Sequence, residues 1–341
     1  MLPPLRSPAS ATRRRHYAWA RALIAALGVC LLAGFTAWGA MALLFDGPGP
    51  GWLRGGLVAG FVLLVGLAVI ALPRPAGQIA GAALCGVVLL WWLQIPASND
   101  RDWAPEYARL ASVARDGDRI TVRNIRNFTY RTEADVTPAY DDATYDLATL
   151  DTMDLVTSYW AGDEITHVFV SFGFRDGRHL AISIETRREK GESYSTLAGF
   201  FRPYELIYVV ADERDLIGLR TDTRSERVYL YQLRLPPKMV RRLFVSYLDR
   251  VAALEHRPEF YNTLTNNCTT GILGRAQVVS PTLAYNWRIL ASGHAAEYAY
   301  HLGRLDNRQP FPELRQARRI QRPTGATVGP GFSTEIRESL G

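Results

Sequence analysis

Hydrophobic residues are concentrated in three long runs before residue 98, at about 23–45, 55–72 and 79–95. Each run approaches the roughly 20 apolar residues that a helix needs to span a bilayer. The third run is the shortest and ends near Trp91-Trp92, a pair that suits a membrane interface. Buried core helices are the alternative, but three successive runs with almost no polar face favour transmembrane helices. We therefore expect residues 17–97 to form a bundle of three such helices.

The arginines predict how these helices are oriented. Residues 1–16 are polar and basic, and positive charge beside a span is enriched on the cytoplasmic side. Residues 1–16 are then a cytoplasmic tail, the loop at 46–54 lies outside, and residues 73–75 lie inside. The third helix returns the chain to the outer side, so residues 98–341 face the periplasm or the exterior. If the third run lay only at the interface, that part of the chain would face the opposite side.

Beyond residue 98 the pattern changes to short alternating and amphipathic segments, which are typical of an α+β domain. We expect this domain to extend from 98 to 310. Residues 311–341 should form a loose tail, because the chain is rich in arginine, proline and glycine from Ala317 onward. The predicted strands are 119–130, 150–160, 166–174, 178–185, 204–210 and 228–233, and the predicted helices are 105–115, 236–255 and 291–305.

Two of the predicted strands form a hairpin around Arg175-Asp176-Gly177, and the side-chain pattern selects its register. A two-residue loop would set His167 opposite Thr186. A three-residue loop with a left-handed Gly177 sets His167 opposite Glu185 instead. A shift of one residue moves every side chain to the other face of the sheet. Only the second register gathers the large apolar side chains on one face, namely Val168, Val170, Phe172, Phe174, Leu180, Ile182 and Ile184.

The other face of this hairpin is mostly small or polar, and it carries His167 directly across from Glu185. Opposed residues lie about 4.5–5.5 Å apart at Cβ, close enough for a carboxylate to orient an imidazole. The alternative is an exposed hairpin with a surface His–Glu pair, which contributes little.

Cys268 lies between a polar, turn-prone segment and an apolar segment that one helix face could bury. Asn and Thr are good N-caps, so Cys268 is predicted in the first turn of a helix. There the free N–H groups and the helix dipole favour negative charge, and the pKa of the thiol should fall. A thiolate in that position is a nucleophile if a base lies nearby. The alternative is a small buried residue, as free cysteines usually are.

If the Cys268 helix packs over the polar face of the hairpin, it meets His167 and Glu185. The thiol would then be the nucleophile, the imidazole its base and the carboxylate the group that orients the imidazole, as in cysteine acyl-transfer enzymes.

Composition and charge exclude several classes of function. The net charge is +6, but the basicity comes from arginine, since lysine occurs only at Lys190 and Lys238. No basic run interleaves with aromatic side chains, so nucleic acid is not an expected partner. Cys30 and Cys85 lie in the apolar runs, so Cys268 has no cysteine partner in the rest of the chain. A disulfide framework or a zinc-ligand cluster is therefore not expected, and neither is a metal or a cofactor. An unpaired cysteine in an oxidising compartment favours a chemical role for Cys268.

Several motifs together resemble the Lnb-type periplasmic domain family, which is named for a bacterial lipoprotein N-acyltransferase. The resemblance extends from about residue 102 to residue 305. The motifs that carry it are His167-Val-Phe-Val-Ser-Phe-Gly-Phe, Asp176-Gly177, Leu180-Ala-Ile-Ser-Ile-Glu-Thr-Arg-Arg-Glu189, Asn266-Asn267-Cys268-Thr269-Thr270, Arg126-Asn127-Phe128 and Glu205-Leu-Ile-Tyr-Val-Val.

This resemblance implies a papain-like antiparallel-sheet domain of the permuted NlpC type with flanking helices, in which His167 precedes Cys268 in the chain. It implies thiol-dependent acyl chemistry on the outer side of a bacterial inner membrane, with Cys268 as nucleophile and His167 as base. The membrane lipid is then an expected partner and a lipoprotein a candidate substrate.

The predicted function is acyl transfer from an ester to an amine through a Cys268 thioester. A cysteine amidase or peptidase acting on cell-wall peptide is one alternative, and a non-catalytic envelope scaffold is another. The candidate catalytic residues are Cys268, His167 and Glu185. The candidates for oxyanion stabilisation or support are Asn267 and Thr269, and those for substrate binding are Arg187, His179 and Ser183.

Overall fold

A computed structural model describes residues 8–133, 135–322 and 328–340 of the chain. It divides into two compact units, Met1–Pro96 and Ala97–Gly341.

The first unit consists of three helices, α1 (Pro8–Asp46), α2 (Gly51–Ala71) and α3 (Ala76–Leu93). Each contains a segment long and apolar enough to cross a membrane, at Trp19–Asp46, Gly51–Ala71 and Ala76–Leu93. The first predicted run lies within α1, and the second and third end one and two residues beyond α2 and α3. Residues 1–7 of the predicted basic tail lie outside the described residues, and α1 begins at Pro8.

The second unit is built on a sheet whose strands follow the alternating segments of the sequence. Its order is β1-β2-β9-β8-β7-β6-β10, with β5 paired to β2, and β3 and β4 form a separate hairpin. The pairings are antiparallel except for a single parallel bridge between Arg126 and Ala211. The strands are β1 (Ser112–Asp116), β2 (Arg119–Arg126), β3 (Thr129–Tyr130), β4 (Val136–Thr137), β5 (Tyr140–Asp146), β6 (Leu150–Ala161), β7 (Ile165–Phe174), β8 (His179–Arg187), β9 (Glu205–Ala211) and β10 (Arg227–Gln232).

The helices of this unit cover the sheet on both faces, so the fold is α+β. They are α4 (Glu213–Gly218), α5 (Pro237–His256), α6 (Cys268–Val279), α7 (Trp287–Leu290), α8 (Ala295–His301), α9 (Phe311–Ala317) and α10 (Phe332–Glu338).

The register of the β7–β8 hairpin is the predicted one. Phe172 pairs with Leu180 and Val170 with Ile182. Gly177 has φ +84°, the left-handed conformation that the three-residue loop requires.

The apolar face of the hairpin is covered by α5 and α6. The ring of Phe172 lies 4.9 Å from that of Phe244 in α5, in an edge-to-face arrangement. In α6, Gly271 lies so close to Ile184 that an added Cβ would come within 2.5 Å of the isoleucine Cδ1. Helix α6 therefore packs on the apolar face of the hairpin and not on the polar face, because its small and aliphatic side chains complement the apolar one.

The opposite face of the hairpin is also buried, under α4 and α10. Phe169 and Ala181 from the sheet pack in one cluster with Leu216 of α4 and with Phe332 and Ile336 of α10. The C-terminal segment is therefore not the loose tail that its composition predicts, since its few apolar residues complete this layer. Residues 323–327 of that tail lie outside the described residues.

Two predicted helices also differ from the structure. Residues 105–115 form a 3₁₀ turn, Pro105–Tyr107, followed by β1, and the edge of β2 provides hydrogen bonds that a short isolated helix would lack. The predicted helix at 291–305 is reduced to α8, with α7 preceding it.

Candidate functional site

The site lies where the ladder between β7 and β8 stops. Pairing between these strands ends at Val170 and Ile182, although both strands continue beyond it. In an uninterrupted antiparallel ladder, Val168 would exchange hydrogen bonds with Ile184. The gap releases the Val168 N–H group, which faces the sulfur of Cys268.

Cys268 is the first residue of α6, as the turn-prone residues before it predict. Asn267 is the N-cap, and its side-chain oxygen accepts a hydrogen bond of 2.9 Å from the Thr270 N–H. In return, the Asn267 N–H donates to the Thr270 hydroxyl at 2.8 Å, which completes a capping box. The backbone N–H groups of Cys268 and Thr269 remain directed at the sulfur.

The thiol nevertheless has a raised pKa, so the prediction of a lowered one is wrong. Burial raises the pKa of Cys268, the N–H groups of Val168, Thr269 and Cys268 oppose this change, and the negative charge of Glu185 adds to it. Desolvation of the thiolate therefore outweighs the helix terminus, and the resting group is a neutral thiol.

His167 is connected to Glu185 through a third side chain. Its Nε2 lies 2.6 Å from the Ser183 Oγ, and that hydroxyl donates to the Glu185 Oε1 at 2.7 Å. The direct distance from the His167 Nε2 to the Glu185 Oε1 is 3.7 Å. Ser183, predicted to contact substrate, thus occupies the position expected for the carboxylate.

The direction of these hydrogen bonds fixes the tautomer of His167. Because the carboxylate can only accept, the Ser183 hydroxyl must donate to Glu185 and accept from the His167 Nε2–H. The lone pair of the ring is then on Nδ1. Among the residues that the structure describes, none hydrogen-bonds to Nδ1, so this atom is available as a base.

The imidazole is held neutral. Burial and the charges of Arg220 and Arg224 lower the pKa of His167 to about 3, although Glu185 opposes this shift. The imidazole is therefore unprotonated at physiological pH and its Nδ1 lone pair is free, but it is a weak base.

Glu185 stays ionised because of Arg220, a residue that the sequence analysis missed. Burial raises the pKa of Glu185, but Arg220, His167 and Arg126 together bring it below its usual value. The Arg220 Nη2 lies 3.1 Å from the Glu185 Oε1, and the Tyr107 hydroxyl donates to the other carboxylate oxygen at 3.4 Å. Arg220 belongs to a π-helical turn after α4, a local distortion often found at functional sites. No pattern in the sequence marks this turn.

Cys268, His167, Glu185 and Arg220 line one cavity of about 970 Å³. Among the described residues, no hydrogen bond joins the thiol to the imidazole. The structure therefore brings the three predicted catalytic side chains to one cavity without a resting ion pair between the first two.

The mouth of this cavity is unusually apolar for a surface. Six large hydrophobic side chains line it while remaining 38% to 54% exposed, and they come from separate parts of the chain. We call them the mouth residues: Trp160, Ile165, Tyr194, Phe200, Leu264 and Leu290. Exposed apolar clusters of this kind mark sites of contact with lipid or protein.

The remaining predicted site residues have structural contacts. Asn267 is committed to the cap, and the Thr269 hydroxyl donates to the Ile289 carbonyl at 2.7 Å. Arg187 is buried, donates to the Tyr107 carbonyl at 3.0 Å and stacks on Trp103, so it is not exposed to a substrate phosphate.

His179 lies at the far end of the hairpin, within a group whose spacing could suit a cation. Its ring and the carboxylates of Asp154 and Glu213 place their donor atoms within 4.8 Å of one another. However, the Arg337 guanidinium bonds to Asp154 at 2.5 Å and to Glu213 at 2.7 Å. With the carboxylates already neutralised by an arginine, the group fits a buried ion-pair network better than a metal centre.

The model of the family described as the Lnb N-terminal periplasmic domain matches residues 136–293, a segment that includes His167, Glu185, Arg220 and Cys268. No curated protein and no solved structure matches this chain. With the three candidate membrane helices, the family match describes an envelope-associated, membrane-anchored protein with a periplasmic domain. The predicted resemblance is thus confirmed over this segment, since residues 136–293 match the model of the Lnb N-terminal periplasmic domain.

Proposed function

We propose that this protein is a periplasmic cysteine acyltransferase anchored in a bacterial inner membrane by three spanning helices. It takes an acyl group from a phospholipid or lipoprotein ester as a thioester on Cys268 and passes it to an amine. The observation that carries this proposal is the shared cavity, which is lined both by a half-buried neutral thiol that faces three backbone N–H groups and by a neutral imidazole.

In the first step, the His167 Nδ1 removes the proton of the Cys268 thiol while the sulfur attacks the ester carbonyl carbon. A carbon–sulfur bond forms and the carbonyl oxygen becomes an oxyanion. The carbon–oxygen ester bond then breaks, and the leaving alkoxide takes the proton from His167. Both pKa shifts disfavour a resting thiolate–imidazolium pair, so the proton moves as the nucleophile attacks.

Backbone N–H groups stabilise the oxyanion. Those of Val168, Thr269 and Cys268 surround the sulfur, so they lie next to the carbonyl group that the sulfur attacks. Donors fixed there before the reaction cost no reorganisation during it. The Asn267 side chain is engaged in the cap and is not needed as a donor.

In the second step, an amine attacks the thioester carbonyl. The amine loses a proton to His167 as the carbon–nitrogen bond forms. The carbon–sulfur bond then breaks, and Cys268 recovers the proton as a thiol. Glu185 and Ser183 stabilise the imidazolium that forms in each step, through the Nε2–H.

The mouth residues support a lipid rather than a soluble peptide as the acyl donor. Trp160, Tyr194 and Phe200 are aromatic types that favour the interface between water and lipid. Helix α6 begins at the nucleophile and packs on an antiparallel sheet that carries the base, which supports the papain-like arrangement of the permuted NlpC type.

A transfer assay tests the proposal against its alternatives. Full-length protein in phospholipid vesicles is supplied with a lipoprotein that has a free N-terminal amine, or with a purified muropeptide. We expect an N-acylated lipoprotein, no cleavage of muropeptide, and complete loss of activity in Cys268→Ala. The control variant is Cys30→Ala, whose cysteine lies in α1. Muropeptide cleavage that depends on Cys268 would favour the amidase function over acyl transfer. Full activity of Cys268→Ala would exclude both functions.

A further inference from the structure

A second cavity, of about 130 Å³, lies between the sheet and helices α5, α6 and α8. We call it the aliphatic cavity, because aliphatic side chains provide most of its wall. Representative residues are Met153 and Val168 from the sheet, Leu243 from α5, Leu273 and Ala276 from α6, and Leu302, the residue after α8.

The aliphatic cavity and the cavity of the nucleophile share a wall residue next to Cys268. Thr269, the residue after Cys268, lines both this cavity and the larger one that contains the nucleophile. Val168 lines the aliphatic cavity with its side chain, while its backbone N–H faces the sulfur. Leu273 and Ala276 continue the wall along α6, one and two turns from Cys268.

We propose that the aliphatic cavity holds the carbon chain of the acyl group that Cys268 carries, an inference that rests on the proposed acyl transfer. An apolar cavity of about 150 Å³ stays dry and accepts benzene, which has six carbons. By this scale, the aliphatic cavity accommodates about five carbons of a chain. Leu302, which also lines it, is 40% exposed, so longer chains can continue to the surface.

An empty apolar cavity destabilises a fold, since its lining side chains lack partners. A chain that fills the aliphatic cavity supplies those contacts and removes its own methylene groups from water. Each buried methylene group of the donor should raise kcat/KM about fourfold, until the cavity is full.

The test measures acylation of Cys268 in the full-length protein by p-nitrophenyl esters from acetyl to decanoyl. We expect kcat/KM to rise about fourfold per carbon up to about five carbons and then to level off. In Ala276→Phe, which fills the cavity, the hexanoyl ester should lose most of its advantage over the acetyl ester. The control is Val278→Phe on the same helix, because Val278 is exposed and does not line the cavity.

Leu273→Ala provides a second variant that alters the cavity in the opposite direction. It enlarges the cavity, so the plateau should move to longer chains. Equal rates for acetyl and hexanoyl esters in the wild-type protein would overturn the inference, as would an unchanged chain-length profile in Ala276→Phe.

The failure of the inference can be separated from that of acyl transfer by a binding measurement. A fluorescent fatty acid is titrated into Cys268→Ala, with and without Ala276→Phe. Binding that Ala276→Phe abolishes, together with no thioester in the wild-type protein, would retain the chain site and remove the proposed transfer. A thioester that forms equally well with every chain length would retain the transfer and remove the chain site.

Discussion

The His167 imidazole donates from Nε2 to the hydroxyl of Ser183, at 2.6 Å, rather than to a carboxylate. Glu185 is one hydrogen bond further from the ring, since its Oε1 accepts a hydrogen bond of 2.7 Å from the Ser183 hydroxyl. The hydroxyl therefore fixes the imidazole in the tautomer with a basic Nδ1. Although the His167 Nε2 and the Glu185 Oε1 are 3.7 Å apart, the serine hydroxyl connects the two groups by hydrogen bonds.

Ser183→Ala removes this link and should lower kcat/KM for acyl transfer about 10- to 100-fold. The reason is that a buried Nε2–H left without a partner costs about 1–3 kcal/mol and no longer selects the reactive tautomer. Acylation kinetics with a soluble ester measure the effect. Ser171→Ala is the matched control, since Ser171 is equally buried on β7 but donates to Glu213. An unchanged rate in Ser183→Ala would contradict the relay.

Arg220→Gln should shift the acidic limb of the pH–rate profile upward. Arg220 lowers the pKa of both His167 and Glu185, so its removal raises both, and His167 becomes protonated at a higher pH. A protonated imidazole cannot accept the thiol proton, and activity is lost from the acidic side. The profile of kcat/KM between pH 4 and 9 checks this. Arg220→Lys, which keeps the charge, should restore most of the wild-type profile, and an equal loss of rate at all pH values would indicate a structural role only.

The buried His167 should make stability depend on pH. Its pKa is 6.5 when exposed and about 3 in the fold, so between these values the unfolded state binds a proton that the folded state does not. The free energy of unfolding therefore falls as the pH falls from about 6.5 towards 3, by on the order of a few kcal/mol. Glu185, whose pKa is lowered by Arg220, adds a loss of the same sign below its ordinary pKa.

His167→Gln should reduce this acid destabilisation, because glutamine does not titrate. The wild-type protein and the variant, both full-length, are compared by thermal unfolding at pH 7 and at pH 4. The fall in Tm from pH 7 to pH 4 should be smaller in the variant than in the wild-type protein. An equal fall in Tm in both proteins would show that His167 is not held neutral.

Replacing mouth residues should affect lipid substrates selectively. The double variant Trp160→Ser with Phe200→Ser should lower acyl transfer from vesicle phospholipid about tenfold or more and leave acylation by a soluble acetyl ester unchanged, because two large apolar contacts with lipid are lost. Tyr285→Ser is the control, since Tyr285 is exposed but lies away from the cavity lining. Equal losses with both substrates would contradict a role in lipid contact.

The parts of the site that depend on local sequence are predictable from it. The register that pairs Val170 with Ile182 follows from alternation and from Gly177, and the start of α6 at Cys268 follows from its cap. Both depend on interactions among residues close in the chain or paired in one hairpin.

The parts that depend on tertiary packing are not predictable in this way. Arg220 reaches Glu185 from a π-helical turn that no sequence pattern marks. The raised pKa of Cys268 follows from burial under segments far away in the chain, which outweighs the local helix terminus. The C-terminal helix α10 has the composition of a tail, and it folds because Phe332 and Ile336 meet a hydrophobic cluster on the sheet.

Acylation of Cys268 itself tests the central claim most directly. Full-length protein is incubated with phospholipid vesicles without an acceptor amine, stopped in acid, digested and analysed by mass spectrometry. We expect the peptide that contains Cys268 to gain the mass of one fatty acyl group, and neutral hydroxylamine to remove it, as for a thioester. The acyl group should be missing in His167→Gln. An unmodified Cys268 under conditions in which acylated product accumulates, or a hydroxylamine-resistant acyl group on another residue, would contradict the proposed mechanism.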